Sequence, residues 1–225
     1  MSELTYDYME NFIYNTLLAD KPLEEQLKLY QNSADQYEKM CDVSLYNFHK
    51  ILANEFSSLA LPRDSRILDV GAGTGLFGRM LHKLGFTNID ALDACDEMLQ
   101  CAKESNSNYK NYIVAEVSKA KLLPVDENTY DVALMAGSAS PAHIDVEAYL
   151  QIMRVVKPGG IIGWIIEDAE TCVKCNTKFQ NEAYQKTLEK FVLQNLWLPV
   201  DGYNPKRVPN ALLNRPGDVY FYKVV

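Results

Sequence analysis

The stretch Ile67-Leu68-Asp69-Val70-Gly71-Ala72-Gly73-Thr74-Gly75 restricts the fold more than any other part of the chain. Its short apolar run, ending beside a carboxylate, reads as a buried strand. The alternating glycines let the backbone turn sharply and bring a ligand within contact distance of the main chain. Leu76-Phe77-Gly78-Arg79-Met80-Leu81 then carries apolar residues at helical spacing. Strand, glycine turn and helix in this order set backbone N–H groups and a helix N-terminus against a nucleotide-like ligand.

The rest of the chain gives this unit its setting. A length of 225 residues suits one domain with an added terminal segment, and an apolar fraction of 48% is enough for a sizeable core. The net charge of −8, without a dense run of Lys and Arg, argues against binding driven by nucleic-acid phosphates or an anionic membrane. No apolar stretch is long enough to span a bilayer. Residues Met1 to Asp7 lack the basic and apolar regions of a signal peptide, so a cytoplasmic setting is expected. Cys41, Cys95, Cys101, Cys172 and Cys175 are odd in number and scattered, as free thiols in a reducing compartment would be. Cys172 and Cys175 have CxxC spacing but no matching second pair, so they read as ordinary thiols in a loop and no metal is expected.

Residues 1–62 read as a helical extension, with Asp20 as N-cap and Pro22 in the first turn of a helix reaching towards Tyr37. Leu27, Tyr30, Ala34 and Tyr37 share one face of it, suited to packing on the main domain, to covering a ligand as a lid, or to both. Leu61-Pro62-Arg63-Asp64 marks the boundary into a main domain over 63–225. Strand and helix signals alternate there: strands near 66–70, 89–93, 112–116, 131–135 and 161–166, with helices at about 75–84, 96–103 and 145–156. The last of these strands is wholly apolar and therefore central. A helix over 182–196 and candidate strands at 198–203 and 219–224 follow, joined by a loop holding Lys206, Arg207, Pro209, Arg215 and Pro216. The expected architecture is a doubly wound, mostly parallel α/β sheet of seven strands that ends in an antiparallel hairpin.

Ligands of such sheets sit outside the carboxyl ends of the strands, where strand order reverses. Asp69, Asp93 and Glu116 fall at or near those ends. Asp93 follows Gly73 by twenty positions, the spacing at which an acid accepts hydrogen bonds from a ribose diol. Gly73-Thr74-Gly75-Leu76-Phe77-Gly78 also matches the dinucleotide fingerprint GxGxxG, which would suit an NAD-dependent oxidoreductase. Gly71 and Asp69 pull the other way. An acid facing the loop can hold N–H groups or a ligand ammonium but does little for a pyrophosphate. That favours a nucleoside joined to an amino acid.

The residues resemble a known family. Asp69 to Gly75 resembles motif I of the class I S-adenosylmethionine-dependent methyltransferases. Asp93-Ala94-Cys95-Asp96-Glu97-Met98-Leu99 resembles their ribose-binding motif, and Glu116-Val117 takes the place of the pair that reads adenine. Tyr130 to Gly137 resembles motif IV, and Arg154 to Gly160 the turn before the fifth strand. The resemblance implies a Rossmann-like methyltransferase sheet, S-adenosyl-L-methionine as methyl donor and S-adenosyl-L-homocysteine as product. It implies cofactor contacts from Asp69, Gly71, Ala72, Gly73, Gly75, Asp93, Ala94, Met98, Glu116, Val117 and Ala136.

A narrower resemblance is to methyltransferase-like proteins of the Williams–Beuren region type. Tyr30-Gln31-Asn32-Ser33-Ala34-Asp35-Gln36-Tyr37 is similar to their Tyr-x-x-Trp-Ala-x-x-Tyr segment, with Ser33 in place of Trp. The implied reaction is in-line methyl transfer to a small-molecule or protein acceptor. Tyr30 and Tyr37 are candidates for the acceptor side, and His143 is the candidate general base in the loop after the fourth strand. A methyltransferase-like fold kept only as a cofactor-binding or partner-binding module is the alternative from another class. The Asn-Pro-Pro-Tyr form of motif IV, used on nucleic-acid amines, is absent.

Overall fold

The computed structural model describes residues 4–225. Its first helices are α1 (Tyr6–Phe12), which runs into a π-helical turn at Ile13–Leu17, then α2 (Leu23–Ser33), α3 (Tyr37–Val43) and α4 (Phe48–Ser57). A 3-10 turn over Ala34–Gln36 joins α2 to α3. The N-cap of α2 is Pro22, whose carbonyl accepts from the N–H groups of Glu25 and Gln26, and Asp20 stands outside the helix. That corrects the sequence expectation of Asp20 as cap. Proline's extended ψ of 145° presents its carbonyl to the first turn, and its missing N–H is one that no helix needs.

Strands and helices then alternate: β1 (Ile67–Val70), α5 (Leu76–Lys83), β2 (Ile89–Asp93), α6 (Asp96–Glu104), β3 (Tyr112–Val114), β4 (Tyr130–Ala136), α7 (Tyr149–Val155) and β5 (Val156–Glu167). Helices α8 (Ala169–Cys175) and α9 (Ala183–Leu193) lead to β6 (Trp197–Pro199), β7 (Lys206–Leu212) and β8 (Arg215–Val224). One path of strands runs β3-β2-β1-β4-β5-β8-β6, and β7 pairs with β8 beside it. Strands β1 to β5 are mutually parallel, and β8 runs antiparallel to β5, β6 and β7. From β1 the chain moves outward to β2 and β3, then returns to β4 on the other side of β1. The order therefore reverses between β1 and β4, and a crevice opens at their carboxyl ends.

Two local expectations differ. Residues 206–212 are a strand, not a loop. The guanidinium of Arg207 grips the Asp218 carboxylate of β8 through two bonds of 2.9 and 3.0 Å. Pro209 lies where the register shifts between Val208 and Leu212, a stretch in which its missing N–H breaks no ladder bond. Cys172 and Cys175 lie in helix α8, with their thiols free. Among the described residues no group of His, Cys, Asp or Glu is disposed to hold a metal ion.

The apolar layer on one face of the sheet continues across the boundary at residue 62. Phe48, Leu52 and Phe56 of α4 are fully buried in the same cluster as Ile67, Leu81, Leu134 and Phe221, and Met9 and Ile13 join it. The other face packs around Trp164, which lies 5.5 Å from the ring of Trp197 and 5.1 Å from that of Tyr220. Phe56 meets Phe86 at 5.1 Å and touches the sheet through Phe221. Phe56→Ala should therefore cost about 3–5 kcal/mol, with the whole chain unfolding in one urea transition. A loss under 1 kcal/mol, or a separate early transition, would show α4 to be detached from the sheet.

Candidate functional site

The loop after β1 is held from both sides. The Gly71 and Ala72 N–H groups donate to the carbonyl of Leu92 on β2, at 2.7 and 3.1 Å, and the Gly73 N–H donates to Asp93 Oδ2 at 2.8 Å. On the far side Ser138, in the loop after β4, donates to the Val70 carbonyl at 2.5 Å. Gly71 has φ of +72°, and a Cβ there would lie 2.3 Å from Ser138 Cβ, so this position admits only glycine. With the Gly75 N–H bonded to Ala72 O, four of the loop's donors are already used. A pyrophosphate would need such donors free.

Asp93 lies at the carboxyl end of β2 and lines the cavity at the switch point. Its Oδ2 receives Gly73 and its Oδ1 receives the N–H of Cys95, at 2.9 Å, which opens α6. A carboxylate has about four acceptor sites, so both oxygens keep capacity for a ligand. Burial pushes its pKa up, against the backbone donors that favour the anion.

Asp69 is arranged differently from the expectation that it faces the ligand. It is 1% exposed and lies beneath the loop, outside the cavity lining. Its Oδ2 accepts the Tyr109 hydroxyl at 2.5 Å, and Tyr109 in turn accepts the N–H of Gly78 in α5. Its Oδ1 has no partner. Burial pushes the carboxyl up to about 7, with a small addition from Asp93, and the Tyr109 bond only partly offsets this.

The cavity measures about 570 Å³. Of the residues singled out in the sequence, Gly71, Gly73, Asp93, Ala94, Met98, Glu116, Val117 and Ala136 line it, together with Tyr30, Tyr37 and His143. Ala72 and Gly75, like Asp69, do not. Glu116 turns its Oε2 to the surface Lys121, at 2.5 Å. The helical segment closes the cavity. Leu27, Tyr30 and Tyr37 pack on a cluster of Ala34, Cys95 and Met98, which fixes α2 and α3 to α6.

That packing brings Tyr30 to His143. The Tyr30 hydroxyl donates to His143 Nε2 at 2.5 Å, and Gln26 Nε2 donates to the same atom at 3.3 Å and to the Leu17 carbonyl at 3.1 Å. His143 Nδ1 lies 2.8 Å from the Pro141 carbonyl, which can only accept. Nδ1 therefore carries the proton and Nε2 the lone pair. Burial, aided by the charge of Lys21, holds the imidazole below its ordinary pKa, so it is neutral near pH 7.

Several cavity residues were missed from sequence. Tyr46 reaches over from the α3–α4 turn and donates to the Ala136 carbonyl. Glu167, at the carboxyl end of β5, is 4% exposed, and burial pushes it up to about 7. The signal for it was available: it ends the apolar run Ile161 to Ile166 as Asp93 ends β2. Asn176, which caps the 3-10 turn after α8, also lines the cavity. No sequence pattern marks it.

The comparisons agree with this geometry. The family described as "methyltransferase domain" matches residues 67–160. Human methyltransferase-like protein 27 is 28% identical over 182 residues, covering 78% of this chain and 69% of that protein. The chain carries a methyltransferase domain in the fold of the S-adenosylmethionine-dependent methyltransferases. Demethylmenaquinone methyltransferase of Staphylococcus aureus (strain JH9) is 25% identical over 150 residues, and the matched region is 64% of this chain and 62% of that enzyme's length. The fold is also that of Burkholderia thailandensis 1,6-didemethyltoxoflavin-N1-methyltransferase, solved with 1,6-didemethyltoxoflavin and S-adenosylhomocysteine: TM-score 0.56, 18% identity, 91% of each chain covered. The cofactor product bound in that Burkholderia enzyme is S-adenosylhomocysteine. The residues suit it, since the loop donors are engaged and Asp93 offers an acceptor pair with no phosphate to repel.

A carboxyl whose folded pKa is raised favours the fold when protonated. For Asp69 the gain is fully present below about pH 4, where an unfolded Asp titrates, and is lost as pH rises through about 7. Asp69→Asn should flatten the fall in unfolding free energy across that window, removing a slope of up to about 1.4 kcal/mol per pH unit. Urea titrations of the cofactor-free protein measure this, and an unchanged slope would mean that Asp69 is already ionised.

Proposed function

We propose that this methyltransferase acts on a small molecule held between the carboxyl edge of the sheet and the N-terminal helices. The cavity carries this reading. It joins Asp93 and Met98 on one side to Tyr30 and His143 on the other, and its volume of about 570 Å³ falls within the usual range of small-molecule sites. The Staphylococcus relative is likewise named for a small acceptor, demethylmenaquinone.

In this reading Asp93 receives the ribose hydroxyls, and Ala94, Met98 and Val117 border the adenine. Glu116, drawn to Lys121, leaves adenine recognition to its neighbours. Asp69 acts beneath the loop as a positioning residue, through Tyr109. When bound, S-adenosylmethionine supplies a methyl carbon on a positively charged sulfur; the acceptor's lone pair forms the new bond as the carbon–sulfur bond breaks. The protein aligns the two and excludes water. Tyr30 and His143 border the acceptor. A proton shed by the acceptor passes to the Tyr30 oxygen while the Tyr30 proton moves to His143 Nε2, leaving an imidazolium tied to Pro141. The five unpaired cysteines suit a reducing compartment, and we place the protein in the cytosol.

Calorimetry should show S-adenosylhomocysteine binding and no NADH binding; the opposite pattern would overturn the cofactor assignment. Asp93→Ala should weaken S-adenosylhomocysteine by about 1.5–3 kcal/mol, the scale of hydrogen bonds to a charged group. Unchanged affinity would remove Asp93 from the ribose. Transfer of labelled methyl from S-adenosylmethionine into the small-molecule fraction of a lysate tests the acceptor class, and label only in protein would refute it. On an acceptor found in this way, His143→Ala and Tyr30→Phe should each lower turnover about 10²-fold or more with cofactor affinity kept. Full turnover in both would leave the pair structural.

A further inference from the structure

Of the buried acids, Asp69 keeps one oxygen unpartnered beneath the glycine loop, outside the cavity lining, while two others are well supplied with partners. Asp90 receives Arg66, Tyr130 and Asn111. Asp168 is consumed in capping α8, accepting the N–H groups of Glu170 and Thr171 and the Thr171 hydroxyl. Glu167, beside it, is not so supplied, and unlike Asp69 it lines the cavity. One oxygen, Oε1, receives the hydroxyl of Ser140 from the loop after β4, at 2.9 Å. The other, Oε2, is buried with no partner, and the residue lines the cavity. Among the described residues Glu167 makes no ion pair. The ionisable groups that interact with its charge include the phenols of Tyr14, Tyr30 and Tyr46, the thiols of Cys172 and Cys175 and the carboxylate of Asp168, none of them a cation.

A second orphan accompanies it. Asn176 is 3% exposed, its Oδ1 accepts the Lys178 N–H at 3.0 Å, and that bond fixes the amide's orientation. Its Nδ2 is buried in the cavity lining without an acceptor. Lys21 also has an unpartnered ammonium in the lining, but its charge bears on His143 and Glu25. The cavity thus holds a buried anionic acceptor without a donor and a buried amide donor without an acceptor. Unpaired groups of this kind are rare in a folded interior unless a ligand completes them.

We propose that Glu167 is the acceptor-recognition residue of this methyltransferase, its free Oε2 receiving the N–H of a small-molecule amine that also bears an oxygen for the Asn176 amide. A cation or amine is the chemistry that relieves a buried carboxylate with no counter-charge, whereas a carboxylate or phosphate brought against Oε2 would be repelled. The partial protonation that burial imposes on Glu167 has the same origin, and an amine bound there would lower its pKa again. The apolar side chains of Met9, Ile13, Leu17 and Phe179 in the lining favour a hydrocarbon or aromatic body on that amine.

This inference rests on the small-molecule reading above, and one experiment separates the two. The protein is saturated with S-adenosylhomocysteine and titrated calorimetrically with phenylalaninol, 3-phenylpropan-1-ol and 3-phenylpropionate, which share a phenyl body and differ in amine, hydroxyl and carboxylate. Phenylalaninol should bind at least tenfold more tightly than the other two. Glu167→Gln should abolish that preference while S-adenosylhomocysteine affinity stays within twofold. Equal binding of the three probes, tighter binding of the carboxylate, or an unchanged preference in Glu167→Gln overturns the role of Glu167. The probe ranking in the unsubstituted protein decides the matter even if Glu167→Gln fails to fold. Failure of S-adenosylhomocysteine itself to bind the unsubstituted protein would instead overturn the parent reading.

Discussion

The site depends on the two hydrogen bonds received by the Asp93 carboxylate. One oxygen holds the glycine loop of β1 through Gly73, and the other holds the start of α6 through Cys95. α6 presents Cys95 and Met98 to the N-terminal helices, which dock there through Tyr30, Ala34 and Tyr37. That docking carries Tyr30 across the cavity to His143, on a loop that is itself pinned to β1 by Ser138. One carboxylate at a strand end thus sets the floor, one wall and, through α6, the roof of the cavity. The chain is a single packed body for the same reason. The layer that buries α4 is the layer that buries β1 and β4.

Electrostatically the site is organised by what is left unpaired. Many surface charges are matched in exposed pairs such as Lys28 with Glu24 and Lys174 with Glu170, which add little to stability. Inside, Asp69 and Glu167 each keep one oxygen without a donor, and both are pushed to about 7 by burial. Their positions give that shared property different meanings. Asp69 lies under the glycine loop, away from the cavity, and its strain is the cost of anchoring Tyr109 and hence α5. Glu167 belongs to the cavity lining, and on that position rests the role proposed for it.

Much of this was legible in the residues. The strand, glycine turn and helix after residue 67 stand where their spacing predicted, as does the acid twenty positions on. Strand-end acids are legible because a parallel sheet buries its strands and leaves only their ends for polar work. Asp69 shows the limit of that rule. It lies one position before the last residue of β1, so its side chain turns beneath the loop, and only the location of Tyr109, forty residues later, decides what it binds. The β7 strand was hidden by Pro209 and two cationic side chains, whose places are set by Asp218 on the neighbouring strand and by Glu55 on α4.

The acceptor side was the least legible part, and the reason is geometric. The cofactor side is built within consecutive strand–turn–helix units, where sequence distance and spatial distance run together. The opposite side gathers Gln26 and Tyr30 from α2, Tyr46 from a helix junction, His143 from the loop after β4, Glu167 from β5 and Asn176 from beyond α8. No spacing rule links Gln26 and Tyr30 to His143, Glu167 and Asn176, which follow more than a hundred positions later. What does link them is the accounting of buried polar atoms, since each must find a partner or wait for one. Gln26, Tyr30 and His143 satisfy one another apart from a single Gln26 oxygen, so they describe the closed cap. Glu167 and Asn176 remain half satisfied, and on that ground we assign them to the acceptor.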